Sequence, residues 1–563
     1  MSVEKNQLEL PAGGGASGRG AAALALDNRA RWAVMGAILL TTFLSSLDQT
    51  VVGTALPRIV TDLNGAGLYT WVVTGYLLSS TITGPIYGKL SDAFGSKPML
   101  IIGVVIFLLG SALSGLAQNM TELVLFRCLQ GLGAGAIFPI AIAIVGAMFS
   151  PRERGKYQGL FGAVFGLSFI VGPLIGGWIT DNISWHWVFY VNLPLGLVAL
   201  LVLATVLPAA PARRSSWRNL DYLGIALFSA GLVPLLIGLT NKGELSPQGS
   251  VYSWTDPNVG GLILLGLVLL GLFILAESKV AQPIVPLDLF RGRDYSASMA
   301  AVFLLGMAMF TAVIFMPRFY QAVRGVSATE SGYFIWPLLL GLMGSSIASG
   351  QVISRSGRYK WLMLGSIAVL TVGAFSLTHL TAGVPDWELW AWLLLLGVGL
   401  GPSMAGFTII VQSSVPLNRL GVATSTLTFL RQMGGSVGLA LANTVFLSSF
   451  DRHLPIDLRQ HHVPAPLLPG LVRLSGQLQG VGDLGAVLHH TLPASALPLV
   501  PAVLDAIKQA FASSVAGIFW ITLVAALMGG TATALLRDRS LRSVPEVRAP
   551  SLERSETESR PAA

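Results

Sequence analysis

Charge is scarce in this chain. Asp, Glu, Lys and Arg make up 11% of its 563 residues and apolar side chains 53%, whereas a soluble domain carries roughly 25% charged residues. So little charge excludes an ordinary water-exposed surface. Cysteine is scarcer still: Cys128 stands alone in an apolar stretch, which excludes a disulfide or a cysteine metal site within one chain. No G-x-x-x-x-G-K-[ST] loop occurs, so ATP is not the expected energy source. Clustered His, Asp or Glu at one end of the apolar segments is also missing, and a membrane-embedded transferase would need it. The net charge of +8 would suit nucleic acid, but the basic residues fall in short connections rather than in one patch.

What the chain has in abundance is long apolar runs. At 1.5 Å rise per residue, about 20 helical residues cross a hydrocarbon core of roughly 30 Å. Lipid offers the backbone no hydrogen bonds, so spans are helices or a closed barrel, and runs without period-2 alternation exclude the barrel. Runs lie at 32–57, 68–87, 99–117, 122–148, 157–178, 188–208, 221–239, 258–276, 296–316, 332–353, 361–380, 389–412, 421–448 and 513–536. An all-α membrane protein with fourteen transmembrane helices is expected. Of the 35 Lys and Arg residues, 25 fall in alternate segments beginning with the N-terminal one and 8 in the others. The positive-inside rule then places both termini in the cytoplasm. Residues 1–31 read as a disordered leader and 537–563 as a disordered tail. Residues 449–512 read as a long outer loop with short helical patterns, such as Val503 to Phe511, on the membrane surface. His461-His462 and His489-His490 in that loop lack the spacing and neighbouring carboxylates of a metal site, so no metal is expected.

The chain repeats internally. Gly88-Lys-Leu-Ser-Asp92-Ala-Phe-Gly95-Ser-Lys97 follows the second run, and Gly350-Gln-Val-Ile-Ser354-Arg-Ser-Gly357 follows the tenth. Their offset of 262 residues nearly equals that between Trp32 and Ser296. Residues 32–208 and 296–536 therefore read as duplicated six-helix halves, with two inserted helices in the 209–295 linker.

Asp48 is the only acidic residue well inside a run. A carboxylate there costs at least about 2.5 kcal/mol on insertion scales, so it needs a partner or a water-filled cavity. It lies about 13 Å from the end of its run, and Arg127 about 7 Å inside the fourth, at 1.5 Å per residue. A guanidinium side chain spans that gap, and a partner that comes and goes would switch the proton affinity of a buried carboxylate. A static ion pair needed only for insertion is the alternative. In the Gly88 turn, Gly88 and Gly95 permit a tight bend, Asp92 suits a helix N-terminus, and Lys97 adds to the basic connection. A merely topology-setting loop is the alternative there. Gly172, Pro173, Gly176 and Gly177 let the fifth helix bend and a neighbour approach closely, and Gly434, Gly435 and Gly438 look like their counterpart. Trp71, Tyr76, Gln130, Tyr333, Trp336 and Gln412 are cavity candidates, because aromatic faces bind lipophilic cations; interfacial or packing roles are the alternative. Arg431 has no acidic residue within a second-half run, which leaves carbonyls, water or an anionic substrate group to face it. Arg318, Tyr320 and Arg324 read as interfacial anchors.

Several segments together resemble the motif series of the fourteen-span drug:proton antiporter family of the major facilitator superfamily, over nearly the whole chain. They are Leu47 to Pro57, Gly88 to Lys97, Arg127 to Gly131, Gly172 to Gly177, Trp185 to Pro194, Pro317 to Gln321, Gln412 to Pro416 and Gly421 to Gly435. The resemblance implies the major facilitator fold, with a binding cavity between two six-helix halves. It assigns the proton-linked acid to Asp48 and the fourth-span arginine to Arg127. It makes Gly88 to Lys97 a latch between halves, although Ser96 stands where the family often has arginine. It makes Gly172 to Gly177 the antiporter motif, the main argument for export. It implies a cell membrane, of a bacterium, no cofactor beyond a proton gradient, and a small-molecule substrate and protons as partners, with no nucleic acid. One chain holds both halves, so a functional monomer is expected. Cargo stays open between lipophilic drugs, cations among them, and an endogenous lipid or metabolite; a receptor or sensor that does not transport is the reading of another class.

Overall fold

A computed structural model describes residues 27–538 apart from 64–67, 209–219, 243–251, 281–282, 462, 465–487 and 489–493. Most of the leader and tail, and His462, His489 and His490, lie outside the described residues. Among the described residues, fourteen long helices follow the expected runs: α1 (Asn28–Asp62), α2 (Tyr69–Phe94), α3 (Ser96–Ser114), α4 (Met120–Met148), α5 (Pro151–Asn182), α6 (His186–Val206), α7 (Tyr222–Asn241), α8 (Pro257–Glu277), α9 (Arg293–Arg324), α10 (Trp336–Ser356), α11 (Lys360–Leu377), α12 (Asp386–Ser413), α13 (Leu420–Gln460) and α14 (Val500–Ala534). All but α2 are long and apolar enough, by length and composition, to cross a membrane. α2 falls short because it carries Ser79, Ser80, Thr81 and Thr83 near its middle. The hydroxyls of Ser79, Ser80 and Thr83 are satisfied by the helix's own carbonyls, Ser79 Oγ donating to Gly75 O at 2.8 Å and Thr83 Oγ1 to Ser79 O at 2.8 Å. Polar side chains in a span belong against protein or a cavity, and α2 is such an interior helix.

Helix ends follow local chemistry. Asp27 caps α1 by accepting from Ala30 N at 2.7 Å. Ser150 and Glu153 form a reciprocal capping box on α5, satisfying two backbone donors that a helix start leaves open. Gly95 (φ 97°) and Gly357 (φ 68°) end α2 and α10 at matching points of the repeat. Only glycine takes such angles without strain. The first helical residue of α1, Asn28, and the last of α14, Ala534, lie on one face of the bundle, called here the terminal face; the other is the far face.

In the first half α1 packs on α5 and α6, and α4 on α2 and α3; in the second, α9 packs on α13 and α14, and α12 on α10 and α11. The inserted pair is a hairpin of α7 on α8, joined to the rest through contacts of α7 with α2 and α13. Phe228 anchors it, with ring centroids 5.2 Å from Phe273 on α8 and 5.4 Å from Phe429 on α13. The outer face of α8 leaves Leu264, Leu267 and Leu275 exposed, as a lipid-facing helix requires.

One expectation fails at the far face. Residues 449–460 and 500–512 are not a loop with surface helices but the continued ends of α13 and α14. Phe446 and Phe450 stack on one another at 5.8 Å and meet Phe511 edge-on, at 4.9 and 6.2 Å. Val503 and Ala506 of α14 are fully buried. The apolar stripe of each extension is covered by the other helix rather than by lipid headgroups.

Candidate functional site

Asp48 and Arg127 meet inside the first half. Arg127 Nη1 donates to Asp48 Oδ2 at 2.5 Å, with both side chains at most 1% exposed. The second carboxylate oxygen accepts from Gln130 Nε2 at 2.9 Å and from Asn192 Nδ2 at 3.1 Å. Arg127 Nη1 also donates to Gln130 Oε1 at 2.7 Å. The guanidinium lies over the Tyr76 ring at 4.2 Å. Asn192 reaches on to Ser111 Oγ at 3.0 Å, which donates to Phe189 O at 2.8 Å. Five helices, α1, α2, α3, α4 and α6, thus share one polar cluster. Helical spacing places Gln130 beside Arg127, three residues on. Burying two charges is tolerated because almost every donor and acceptor between them is engaged.

A cavity of about 80 Å³ lies between the halves, with walls from α1, α2, α4 and α5 on one side and α9, α12 and α13 on the other. Ser45, Tyr76, Thr81, Phe310, Arg431 and Gln432 are among its lining residues, and Asp48 is not. Tyr76 joins cavity to cluster: its hydroxyl donates to Ser45 O at 3.2 Å, and its ring covers Arg127. Thr81 Oγ1 donates to Gln432 Oε1 at 3.0 Å across the halves. Thr81 also lines a second cavity, of about 330 Å³, which runs toward the far face between α2, α7, α9 and α13 past Arg318 and Asn443.

Toward the terminal face the halves are shut. α13 starts without a side-chain cap of its own. Asp92, on α2, supplies one from the other half: Oδ1 accepts from Gly421 N at 2.8 Å and Oδ2 from Val422 N at 2.9 Å. A negative charge there also meets the positive end of the helix dipole. Gly88 and Gly421 allow the approach, since a Cβ on Gly88 would collide with the Ser425 side chain and one on Gly421 would sit 2.6 Å from Gly88 O. At the repeat-related contact, Gly155 of α5 meets Gly350 of α10 backbone to backbone. α5 has its own capping box, so Ser354 in place of a carboxylate leaves no donor stranded. Gln412, deeper in, donates to Ile142 O at 3.0 Å and accepts from Gln158 Nε2 at 3.3 Å.

Gly172 and Gly176 seat α5 against Thr50 and Thr54 of α1, two and six residues beyond Asp48. Gly434 and Gly438 seat α13 against Phe303 and Met307 of α9 in the same manner. Pro173 faces Gly332, in the short helix Ala328–Phe334 before α10, while Gly177 is half-buried. The remaining residues singled out from sequence disperse. Lys97 Nζ donates to Ala204 O at 2.7 Å, at the end of α6 within the first half, and so does not bridge the halves. Gln130 belongs to the Asp48 cluster and Gln412 to the closure, rather than to the cavity wall. Trp71 is partly exposed, and Tyr333 packs edge-on against Trp336 at 5.3 Å, all three away from the cavity. Tyr76 and Arg431 do line it. Arg324 is an anchor, bonded to Val384 O and near Asp386 at 3.6 Å, but Arg318 lines the second cavity. Asn192, Thr81 and Gln432 were not legible beforehand. Asn192 sits near a span end like any terminal polar residue, and the Thr81 to Gln432 pair joins positions 351 residues apart.

Two six-helix halves closed over a central cavity define a membrane transporter of the major facilitator type, and the chain belongs to the Major Facilitator Superfamily, whose family model matches residues 38–439. Within it, the chain is 34% identical over 507 residues to Multidrug transporter protein MdtP of Bacillus subtilis (strain 168), covering 89% of this chain and 92% of that protein. It is 32% identical over 519 residues to Multidrug resistance protein 3 of the same organism, covering 92% and 97%. It is 30% identical over 522 residues to the MFS-type efflux pump MMF1 of Pseudozyma antarctica (strain T-34), covering 91% of each. The crystal structure of the human organic anion transporter MFSD10 (TETRAN) superposes with a TM-score of 0.55 over 89% of this chain and all of that one, at 15% identity. That likeness carries the fold alone.

Proposed function

We propose that the chain is a proton-coupled antiporter that exports lipophilic small molecules across a bacterial cell membrane by alternating access, with both termini in the cytoplasm, and is not an enzyme. The observation that carries this reading is the buried Asp48–Arg127 pair, one residue layer from the cavity behind Tyr76. A proton reaching Asp48 by way of Tyr76 and Ser45 neutralises the carboxylate and leaves Arg127 buried without its counter-charge. A low-dielectric interior tolerates that poorly, so α1 and α4 must shift against one another. α5 is seated on α1 through Gly172 and Gly176 and borders the second half through Gly155 and Pro173. A shift in α1 is thereby passed to the interface between halves, where Asp92 holds or releases α13. The names of the relatives, a multidrug transporter, a multidrug resistance protein and an efflux pump, support drug cargo and outward direction.

The test uses an efflux-deficient bacterial host. Expression is expected to raise resistance to several lipophilic compounds, and inside-out vesicles are expected to concentrate them only under an interior-acid gradient. Accumulation that survives collapse of the gradient by a protonophore contradicts the reading.

A further inference from the structure

Arg431 is the cavity residue whose charge nothing answers. It lies on α13, is 8% exposed, lines the central cavity, and its Nη2 has no hydrogen-bond partner. Among the described residues no carboxylate lies within ion-pair distance of it. α9, the neighbour that corresponds to α1, has Asp294 in its first turn and no further acid along its length. An arginine at a helix centre costs about 2.5–3.5 kcal/mol on insertion scales, and a buried ion without a partner costs more. Packing does not explain the cost, because the contacts that seat α13 on α9 are made by Gly434, Gly438 and the backbone of Arg431 against Gly306. Those contacts would serve an apolar side chain equally well.

The surroundings of Arg431 specify its complement. Asp48 is unavailable, since its carboxylate is fully buried and engaged by Arg127, Gln130 and Asn192. Among the described residues, no acidic side chain lines either cavity. The second cavity carries a guanidinium as well: Arg318, which rests 5.4 Å above the Phe315 ring and, among the described residues, has no carboxylate within ion-pair distance. Thr81 lines both cavities, so the two arginines stand on either side of one shared wall residue. Phe310 and Phe429 offer apolar surface beside Arg431. Positive charge beside aromatic surface repels lipophilic cations and suits an amphiphile with an anionic group, which a guanidinium holds by paired, charge-assisted hydrogen bonds.

We propose that the substrate is an amphiphilic organic anion, whose carboxylate or sulfonate is bound by Arg431 in the central cavity and passed by way of Thr81 to Arg318 in the second. This rests on the exporter reading and narrows its cargo.

Three dansyl probes share a fluorophore and differ in charge: dansylglycine carries a carboxylate, dansylamide no charge and dansylcadaverine an ammonium. Binding to the purified full chain in nanodiscs, read by energy transfer from tryptophan, is expected to favour dansylglycine over the other two by about tenfold, the scale of one charge-assisted contact. Arg431→Gln is expected to erase that preference, with its size-exclusion profile and circular dichroism matching the wild type to show that it is folded. Arg431→Lys is expected to keep a reduced preference. Probes that bind without regard to charge, or a preference untouched by Arg431→Gln, overturn the anion assignment and leave export standing. Failure of all three to bind or be transported overturns both.

Discussion

The Asp92 carboxylate and the Gly421 amide, from opposite halves of the chain, are joined at 2.8 Å, and the same carboxylate holds the next amide, that of Val422. A side chain of one half is therefore the helix cap of the other, and it cannot be withdrawn without leaving the start of α13 unsatisfied. Removing a cap typically costs about 1 kcal/mol.

Asp92→Ala is expected to open the terminal face more often. A cysteine placed at the buried Ser349, beside Gly350 at the paired contact, in a Cys128→Ala background, should then react with a membrane-impermeant maleimide about fivefold faster, the equivalent of that loss. Asp92→Glu should keep most of the protection. An unchanged rate in Asp92→Ala would remove the closure role from this contact.

The glycines of α5 make a second prediction. A Cβ on Gly176 would lie 2.8 Å from the Val51 carbonyl oxygen, a backbone atom that trimming side chains cannot move, while Gly53 on α1 has nothing within 4 Å. Gly176→Ala should destabilise the detergent-solubilised protein by about 1–3 kcal/mol, as overpacking does. Gly53→Ala should be neutral or slightly stabilising, since alanine favours helix. Thermal unfolding of the two variants side by side measures the difference.

The Asp48–Arg127 pair separates structure from coupling. Asp48→Asn leaves Arg127 buried and uncompensated, and Arg127→Gln does the same to Asp48; each should cost about 3–5 kcal/mol. The double variant, neutral on both sides, should recover much of that loss. A double variant as unstable as the sum of the singles would mean that the charges do not compensate each other.

Much of this was legible in the sequence for identifiable reasons. Runs of about 20 apolar residues have few alternatives to a membrane helix, so fourteen helices could be placed to within a few residues over most of the chain. Asp48 and Arg127 stood out because intramembrane charge is costly, and their joining needed only the reach of a guanidinium. The extensions of α13 and α14 were hidden because Asp451, Arg452 and His453 give that stretch the polarity of a loop, while Phe450, Leu454 and Leu458 are buried on its other face. The cavity wall was harder still. Ser45, Thr81 and Gln432 are ordinary polar residues in their own helices, and only the meeting of the two halves makes them neighbours. Gln130 and Gln412 misled for the converse reason: a buried glutamine is as well suited to satisfying a charge or a carbonyl as to binding cargo.

The central claim is that substrate movement and proton movement share Asp48. In proteoliposomes holding a trapped pH-sensitive dye, addition of a transported dansyl probe to the wild-type chain should drive protons in the opposite direction. The Asp48→Asn/Arg127→Gln variant should bind the probe yet move no protons. Probe-driven proton movement that persists in that variant would contradict the account.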